Sequence, residues 1–376
     1  MKIVDIEVIE LRVPGWTGET FDGSYDNCLV LVHTDEGLTG VAEVDSVPSV
    51  IRAIVDARRS HTHAMGLKEA IVGADPSDVE GLWERMYDLT SYYGRRGAVI
   101  HAISAVDIAL WDLRGKVQNK SVGALLGTRQ RDRVLAYGTV YPLGETTDEV
   151  RSNIDRGLKL GLKAIKIVAD PFWRDDIDKT ASLIRAARDH VGPDIRLMVD
   201  AATAWAKAEE GLPLMPIFKE HDFFWVEAPL PIDDLDGHAR FQGFGVPIGG
   251  GDLGLTTHYE YEAAFERGKI DIAQPDVTMA GGITELRRIA ELARRLGKRV
   301  VTHGYKSNIT IAANLAFLSR HWMDEPCEYS TSQSPLRWHL TRESFPIGPD
   351  GRIAVPEAPG LGVSLDPETI AKYRVA

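Results

Sequence analysis

Six short apolar runs in the second half of the chain each end at or near an acidic residue or a histidine. These end residues recur at intervals of 24 to 27 positions, and a helical segment follows every run except the last. They are Asp200, Glu227, Asp252, Asp276, His303 and Glu328. A period of this length is typical of repeated strand–helix units, which build a parallel sheet. Because the carboxyl ends of the strands of a barrel meet at one rim, we expect these side chains to share a site.

Three successive runs end in carboxylates, at Asp200, Glu227 and Asp252. Three carboxylates at close range repel one another strongly unless a cation lies between them. A ligand set of hard oxygens, without Cys or His, favours Mg²⁺ over Zn²⁺, with Mn²⁺ as a close alternative. The competing interpretation is that each carboxylate caps a helix or pairs with a neighbouring base. The three carboxylates recur at the same interval as the predicted strands, and this favours the metal site.

Asp276 and His303 end the next two runs. A carboxylate that accepts a hydrogen bond from one imidazole nitrogen fixes the tautomer and makes the other nitrogen a better base. His303 is therefore the leading candidate for the general base or acid. A lone histidine at a strand end is more often structural, but its place beside Asp276 and the acidic residues favours a functional role.

Lys166 lies within a strand predicted over residues 163–169. Side chains alternate along a strand, so Lys166 and Val168 should point into the barrel while Lys163 points away. An inward lysine near carboxylates could bind a substrate carboxylate or shift the pKa of a neighbour. The alternative is a buried ion pair with one of the metal ligands.

Composition narrows the possible partners and compartments. The chain has 376 residues, of which 44% are hydrophobic, and a formal net charge of −12, which argues against nucleic acid or an anionic membrane as a partner. Its two cysteines, Cys28 and Cys327, fit a reducing cytoplasm better than a disulfide framework. No apolar run is long enough to span a bilayer. We therefore expect a small-molecule substrate and a cytoplasmic location.

The chain is predicted to form an α+β domain, a barrel and a tail that packs back on the first domain, at residues 1–127, 128–329 and 330–376. The first domain combines an antiparallel sheet within residues 1–45 with three segments of helical spacing, at 48–58, 78–88 and 97–118. A Gly- and Asp-rich loop at 14–26 carries aromatic residues that could cover a ligand or pack on a strand. Substrate identity is expected to depend on that loop and on side chains such as Tyr137, Trp173, Trp205 and Tyr305.

These features together resemble the enolase superfamily, specifically the mandelate racemase subgroup, over essentially the whole chain. The segments Val30 to Gly40 and Val106 to Lys116 look like the capping domain of that subgroup. The resemblance implies a modified TIM barrel, (β/α)₇β, with an α+β N-terminal capping domain. It also implies assembly into a homo-oligomer.

The resemblance assigns roles to the strand-end residues. It implies Mg²⁺ ligands at Asp200, Glu227 and Asp252, a catalytic dyad of Asp276 and His303, and hydrogen bonding of the substrate carboxylate by Glu328. Two departures stand out. The family's Lys-x-Lys pattern reads Lys166-Ile167-Val168 here, and Asp252 stands where the third ligand is commonly Glu.

Loss of the second lysine bears on the reaction. The family's chemistry is abstraction of the proton next to a carboxylate through an enediolate. A two-base racemase needs proton donors on both faces of the carbanion, whereas loss of a β-hydroxyl needs one base. The sequence therefore predicts dehydration of a sugar acid, an aldonate or aldarate, to a 2-keto-3-deoxy acid. Two alternatives stay open: a racemase, epimerase or lactone cycloisomerase in which a base from elsewhere, with Asp170 as one candidate, replaces the lost lysine, and a non-catalytic binding protein.

Overall fold

The computed structural model describes residues 1–17, 22–141, 143–169, 171–252 and 254–375. Within these residues no helix combines the length and the apolar character needed to cross a membrane.

The first domain is built on a three-stranded antiparallel sheet. Its strands are β1 (Ile3–Arg12), β2 (Asp26–Thr34) and β3 (Thr39–Val44), in the order β1-β2-β3. The sheet is followed by α1 (Pro48–Asp56), α2 (Leu67–Ile71), α3 (Val79–Leu89), α4 (Ala98–Gln118) and α5 (Val122–Leu125). Helix α4 lies so close to β3 that a Cβ at Gly40 would stand 2.1 Å from the carbonyl oxygen of Ala109, which is why glycine is needed there. The antiparallel sheet of the N-terminal domain is confirmed.

In the part of the chain that the structure describes, eight parallel strands form the curled sheet of the second domain. They are β4 (Arg133–Val140), β5 (Ala164–Val168), β6 (Arg196–Asp200), β7 (Phe223–Glu227), β8 (Ile248–Gly250), β9 (Ile272–Ala273), β10 (Arg299–Val300) and β11 (Cys327–Tyr329). Their order is β10-β9-β8-β7-β6-β5-β4-β11, so the last strand pairs in parallel with the first. The predicted barrel architecture is confirmed.

Helices surround this sheet. They are α6 (Thr147–Lys159), α7 (Ile177–Val191), α8 (Ala208–Gly211), α9 (Met215–Glu220), α10 (Leu235–Ala239), α11 (His258–Glu266), α12 (Gly282–Arg295) and α13 (Asn308–Leu318). Short 3₁₀ turns lie at Gly23–Tyr25, Pro171–Arg174 and Leu212–Leu214. Alternation along β5 is clear, because Ile165 and Ile167 belong to the large core cluster whereas Ala164 packs inside the barrel. The odd-numbered side chains of β5 therefore face the helices and the even-numbered ones face the interior.

The segment after β11 contacts both domains. It contains α14 (Pro335–His339), β12 (Arg352–Ala354) and α15 (Pro367–Tyr373). Strand β12 pairs antiparallel with β4 of the barrel, and Arg374 forms a bridge with Leu11 of β1. The amide of Val122 donates to the carbonyl of Gly360. The terminal helix α15 was not predicted from the sequence.

Candidate active site

The three acidic residues predicted to bind a metal converge at the carboxyl ends of neighbouring strands. Asp200 and Glu227 are the last residues of β6 and β7 and are opposite each other in the ladder. Asp252 lies two residues beyond the end of β8. All three are buried, and each offers a carboxylate oxygen within 4.8 Å of those of the other two. The structure therefore brings the predicted ligand set together.

The chemistry of this set fits a divalent cation. Burial raises the pKa of Asp252 to about 6, with the charge of Asp200 acting in the same direction. Burial likewise raises the pKa of Glu227 to about 8; Asp200 and Asp252 add to this, and Lys166 opposes it. The Oδ1 atom of Asp252 is buried without a hydrogen-bond partner among the described residues. Clustered acidic residues with an unused oxygen are the donors that Mg²⁺ prefers, so the residues fit such an ion.

Lys166 points into the barrel, as the alternation of side chains along its strand predicted. It also forms buried ion pairs with acidic neighbours, which was the alternative interpretation of this residue. Its Nζ contacts Oε1 of Glu227 and lies 3.2 Å from Oε1 of Glu328 and 3.5 Å from Oδ2 of Asp200. Burial lowers the pKa of Lys166, but Glu227, Glu328 and the other acidic neighbours raise it well above its usual value. Lys166 is therefore a fixed positive charge among the acidic residues.

Two side chains that sequence reasoning missed hold the other oxygen of Glu227. Trp225 Nε1 donates to Oε2 at 2.9 Å, and Gln274 Nε2 donates to the same atom. Gln274 passes over Gly249, where a Cβ would stand 2.1 Å from its Oε1. Both positions were detectable in principle, since each lies two residues before a predicted site residue and residues two apart in an extended chain share a face.

Asp276 and His303 lie side by side beyond the ends of β9 and β10, joined as a parallel bridge. His303 Nδ1 and Asp276 Oδ2 are 2.7 Å apart. The other carboxylate oxygen, Oδ1, accepts hydrogen bonds from the backbone amide and the hydroxyl of Thr278, at 2.6 and 2.7 Å. Burial lowers the pKa of His303, but Glu328 and the hydrogen-bonded Asp276 hold it well above its usual value. Because Nδ1 is engaged with Asp276, Nε2 is the ring nitrogen that can exchange a proton with a ligand.

Glu328, in β11, lies between the lysine and the histidine. Its Oε1 accepts from the hydroxyl of Thr139, and its Oε2 accepts from the amide of Gly304 at 3.0 Å. His303 Nε2 is 3.6 Å from the same Oε2. Burial raises the pKa of Glu328, but Lys166 and His303 more than offset it and bring the value to about 2. Glu328 is thus an ionised hydrogen-bond acceptor in this structure.

Val168 occupies the position where the family pattern has its second lysine. It shares the parity of Lys166, is buried, and pairs in register with Asp200. It therefore offers an apolar surface beside the acidic cluster. Asp170, considered as a replacement base, lies outside the described residues.

The residues expected to set substrate identity divide into two groups. Trp173 and Trp205 are fully buried in the large core cluster and stack on Phe218 and Phe241, so the structure places both rings in that core and their part in substrate identity stays a prediction. Tyr137 is also buried, inside the barrel against Trp225.

Tyr305 lies near the site, with its hydroxyl 3.3 Å from Oγ1 of Thr331. In the loop at 14–26, Trp16 stacks on Tyr25 with ring centroids 6.3 Å apart. Phe21 lies outside the described residues.

An acidic cluster and a His–Asp pair at the rim of a capped parallel barrel define a class of enzyme. Enzymes of this class act on the carbon next to a substrate carboxylate. Comparison with known families agrees. The model described as mandelate racemase / muconate lactonizing enzyme, N-terminal domain, matches residues 11–127. The model described as enolase C-terminal domain-like matches residues 148–369. The chain belongs to the enolase superfamily, in its mandelate racemase-like branch.

Characterised relatives include both dehydratases and cycloisomerases. D-galactarolactone cycloisomerase of Agrobacterium fabrum is 31% identical over 92% of this chain and 91% of its own length. L-rhamnonate dehydratase of Saccharopolyspora erythraea is 35% identical over 80% of this chain and 76% of its own length. The crystal structure of 3,6-anhydro-D-galactonate cycloisomerase from Zobellia galactanivorans is 29% identical, covers 100% of both chains and has a TM-score of 0.88. The chain is therefore an enzyme related to acid sugar dehydratases and cycloisomerases.

Proposed function

We propose that this protein is a Mg²⁺-dependent acid sugar dehydratase that converts an aldonate or aldarate to a 2-keto-3-deoxy acid. One observation carries the proposal. His303 is held by Asp276 beside the acidic cluster, whereas the equivalent of the second base is the apolar Val168. One base suffices for the loss of a β-hydroxyl, but racemisation needs a proton donor on each face.

The acidic residues at 200, 227 and 252 would hold the metal ion. When bound, it would stabilise the negative charge that develops on the substrate carboxylate, more in the transition state than in the ground state. Lys166, 3.5 Å from Asp200, adds a second positive charge on the same side of the site.

His303 supplies the proton chemistry. Its Nδ1 is directed to Asp276, so Nε2 is the atom that faces the substrate and, in the unprotonated form of the ring, takes the proton from the carbon next to the carboxylate. The electron pair of that C–H bond moves onto the carboxylate, giving an enediolate. As the enediolate collapses, the bond between the β-carbon and its oxygen breaks, and the imidazolium returns its proton to the departing hydroxyl. Water leaves, and the remaining enol tautomerises to the 2-keto acid.

A second candidate, lactone or anhydro-sugar cycloisomerisation, is favoured by the names of two relatives. One is the Agrobacterium fabrum protein, and the other is 3,6-anhydro-alpha-L-galactonate cycloisomerase of Streptomyces coelicolor, 31% identical over 82% of this chain. The first half of the chemistry is the same. If the departing β-oxygen belongs to a ring, however, it stays in the molecule and the product is an isomer of the substrate.

A panel of aldonates, aldarates and their lactones, incubated with the protein and Mg²⁺, tests both candidates. Dehydration yields a 2-keto acid lighter than the substrate by one water, whereas cycloisomerisation yields a product of unchanged mass. His303→Asn is the matched control, since it should abolish either product. Inversion at the α-carbon without loss of water, or no turnover of any acid sugar, would contradict the proposal.

A further inference from the structure

A continuous chain of hydrogen bonds joins the N-terminal domain to the imidazole of His303. The amide of Asp45, the residue that follows β3, donates to the hydroxyl oxygen of Thr278 at 3.0 Å. That hydroxyl donates to Oδ1 of Asp276 at 2.7 Å, and Oδ2 of Asp276 contacts His303 Nδ1 at 2.7 Å. Thr278 itself does not touch the histidine in any of these contacts.

The direction of the chain is fixed by the donors available. The amide of Asp45 can only donate, so the hydroxyl oxygen of Thr278 accepts from it and its own proton is directed to Asp276. The backbone amide of Thr278 adds a second hydrogen bond to the same carboxylate oxygen. Thr278 and Asp276 are 0% and 2% exposed, so water does not replace these donors. The carboxylate is thereby held with its other oxygen toward the imidazole.

We propose that Thr278 is a positioning residue for the base, and that the N-terminal domain sets its orientation through the amide of Asp45. The inference rests on the proposed role of His303 in proton abstraction. A carboxylate free to rotate would let the imidazole turn and present Nε2 to the substrate at a poorer angle. Small misplacements of a reacting group cost large factors in rate.

Asp45 also contacts the loop that follows His303. Its Oδ1 lies 3.1 Å from Nζ of Lys306, which is buried. Lys306 in turn donates to the carbonyls of Gly23 and Asp26. A single residue of the N-terminal domain therefore contacts both loops that carry the His–Asp pair, so docking of that domain and orientation of the base are linked.

Substitution of Thr278 by valine tests the role of the hydroxyl, since valine keeps the shape and removes the donor. We expect kcat on the best acid sugar to fall about 10- to 100-fold while KM and Mg²⁺ affinity change little. Thr278→Ser restores the hydroxyl and should recover most of the loss. Thr278→Ala serves as a second hydroxyl-free variant if the valine variant does not fold.

Thr284→Val is the matched control. Thr284 is also buried, and its hydroxyl also accepts a hydrogen bond from the N-terminal domain, from Trp111 Nε1 at 2.9 Å. Among the residues that the structure describes, Thr284 forms hydrogen bonds with Trp111 and Asp107 and not with Asp276. If Thr284→Val lowers kcat as much as Thr278→Val, the effect is general loosening of the domain contact and the proposal is wrong.

A spectroscopic measurement separates this inference from the proposed function. The proton between His303 Nδ1 and Asp276 should give a downfield ¹H NMR signal, assigned by its absence in His303→Asn. Thr278→Val should shift or broaden that signal, whereas Thr278→Ser and Thr284→Val should keep it. An unchanged signal and unchanged kcat in Thr278→Val would overturn the proposal. If the wild type turns over no acid sugar, the proposed reaction fails while the signal still decides the role of Thr278.

Discussion

The two sides of the site are built for different tasks. On the side of β9 and β10, His303 is held by Asp276, which Thr278 holds in turn. On the side of β5, Lys166 is tied to the acidic residues and Val168 is apolar. The candidate base thus lies on one side of the site and the fixed positive charge on the other. A base on one side alone is what the proposed elimination needs, whereas racemisation needs proton donors on both sides.

Equal effects on turnover from substitutions on the two sides would contradict this division of roles. His303→Asn should lower kcat by about 10²- to 10⁴-fold, because the proposed base is lost. Val168→Ala should stay far closer to wild type. Steady-state kinetics on the same acid sugar measures both, and calorimetry should find Mg²⁺ affinity nearly unchanged in His303→Asn. Unaltered turnover in that variant would show that His303 is not the base.

The role of Lys166 as a fixed charge can be tested through stability. Lys166→Met leaves Glu227 and Glu328 without their buried cation, and removal of one partner of a buried ion pair costs about 3–5 kcal/mol. Chemical denaturation in the presence of a chelator should show this loss in the free energy of unfolding. Excess Mg²⁺ should reduce the loss, since an ion among the acidic residues compensates part of the same charge. Equal stability of variant and wild type in chelator would argue against this role.

The acidic cluster can be weakened one ligand at a time. Asp252→Asn keeps the shape of the side chain but removes one charge from the metal site. We expect Mg²⁺ affinity to fall at least by the roughly 10- to 100-fold typical of losing a supporting contact. Isothermal calorimetry measures it, with Asp271→Asn, an acidic residue outside the cluster, as control. Retention of wild-type affinity by Asp252→Asn would remove this residue from the ligand set.

The smallest expected effect is a gain on the side that lacks a base. Val168→Lys places an amine on the same face of β5 as Lys166, two residues further along the strand. There it could exchange a proton with the face of the substrate opposite His303. We expect slow deuterium incorporation at the α-carbon with some inversion, detected by NMR in D₂O. Val168→Met, of similar length and without charge, should do neither. If both variants behave alike, position 168 does not face the reacting carbon.

The sequence predicted the barrel and its acidic rim because both leave a regular trace. The recurrence of a polar strand-end residue every 24 to 27 positions can be recognised in the sequence without knowledge of any tertiary contact. The alternation of side chains along a strand was enough to predict that Lys166 faces the barrel interior. Partners of these residues left no such trace. Gln274 reaches Glu227 across 47 positions, and this depends on the register of three strands and on a glycine at 249.

Aromatic residues were the least predictable. Trp173 and Trp205 follow strands β5 and β6, so they looked able to reach the rim. They pack instead against Phe218 and Phe241, because burying a large apolar ring among other rings is more favourable than exposing it in a polar site. The terminal helix α15 was likewise missed, since a seven-residue helix shows too little periodicity to recognise.

Reaction in D₂O tests most directly whether proton transfer is one-sided. The wild type is incubated with Mg²⁺ and an acid sugar that it consumes, and both product and recovered substrate are analysed by NMR. We expect a 2-keto acid product and recovered substrate whose α-carbon keeps its configuration. Recovered substrate that is inverted and deuterated at the α-carbon would contradict this expectation, because inversion requires a proton donor on the face that Val168 occupies.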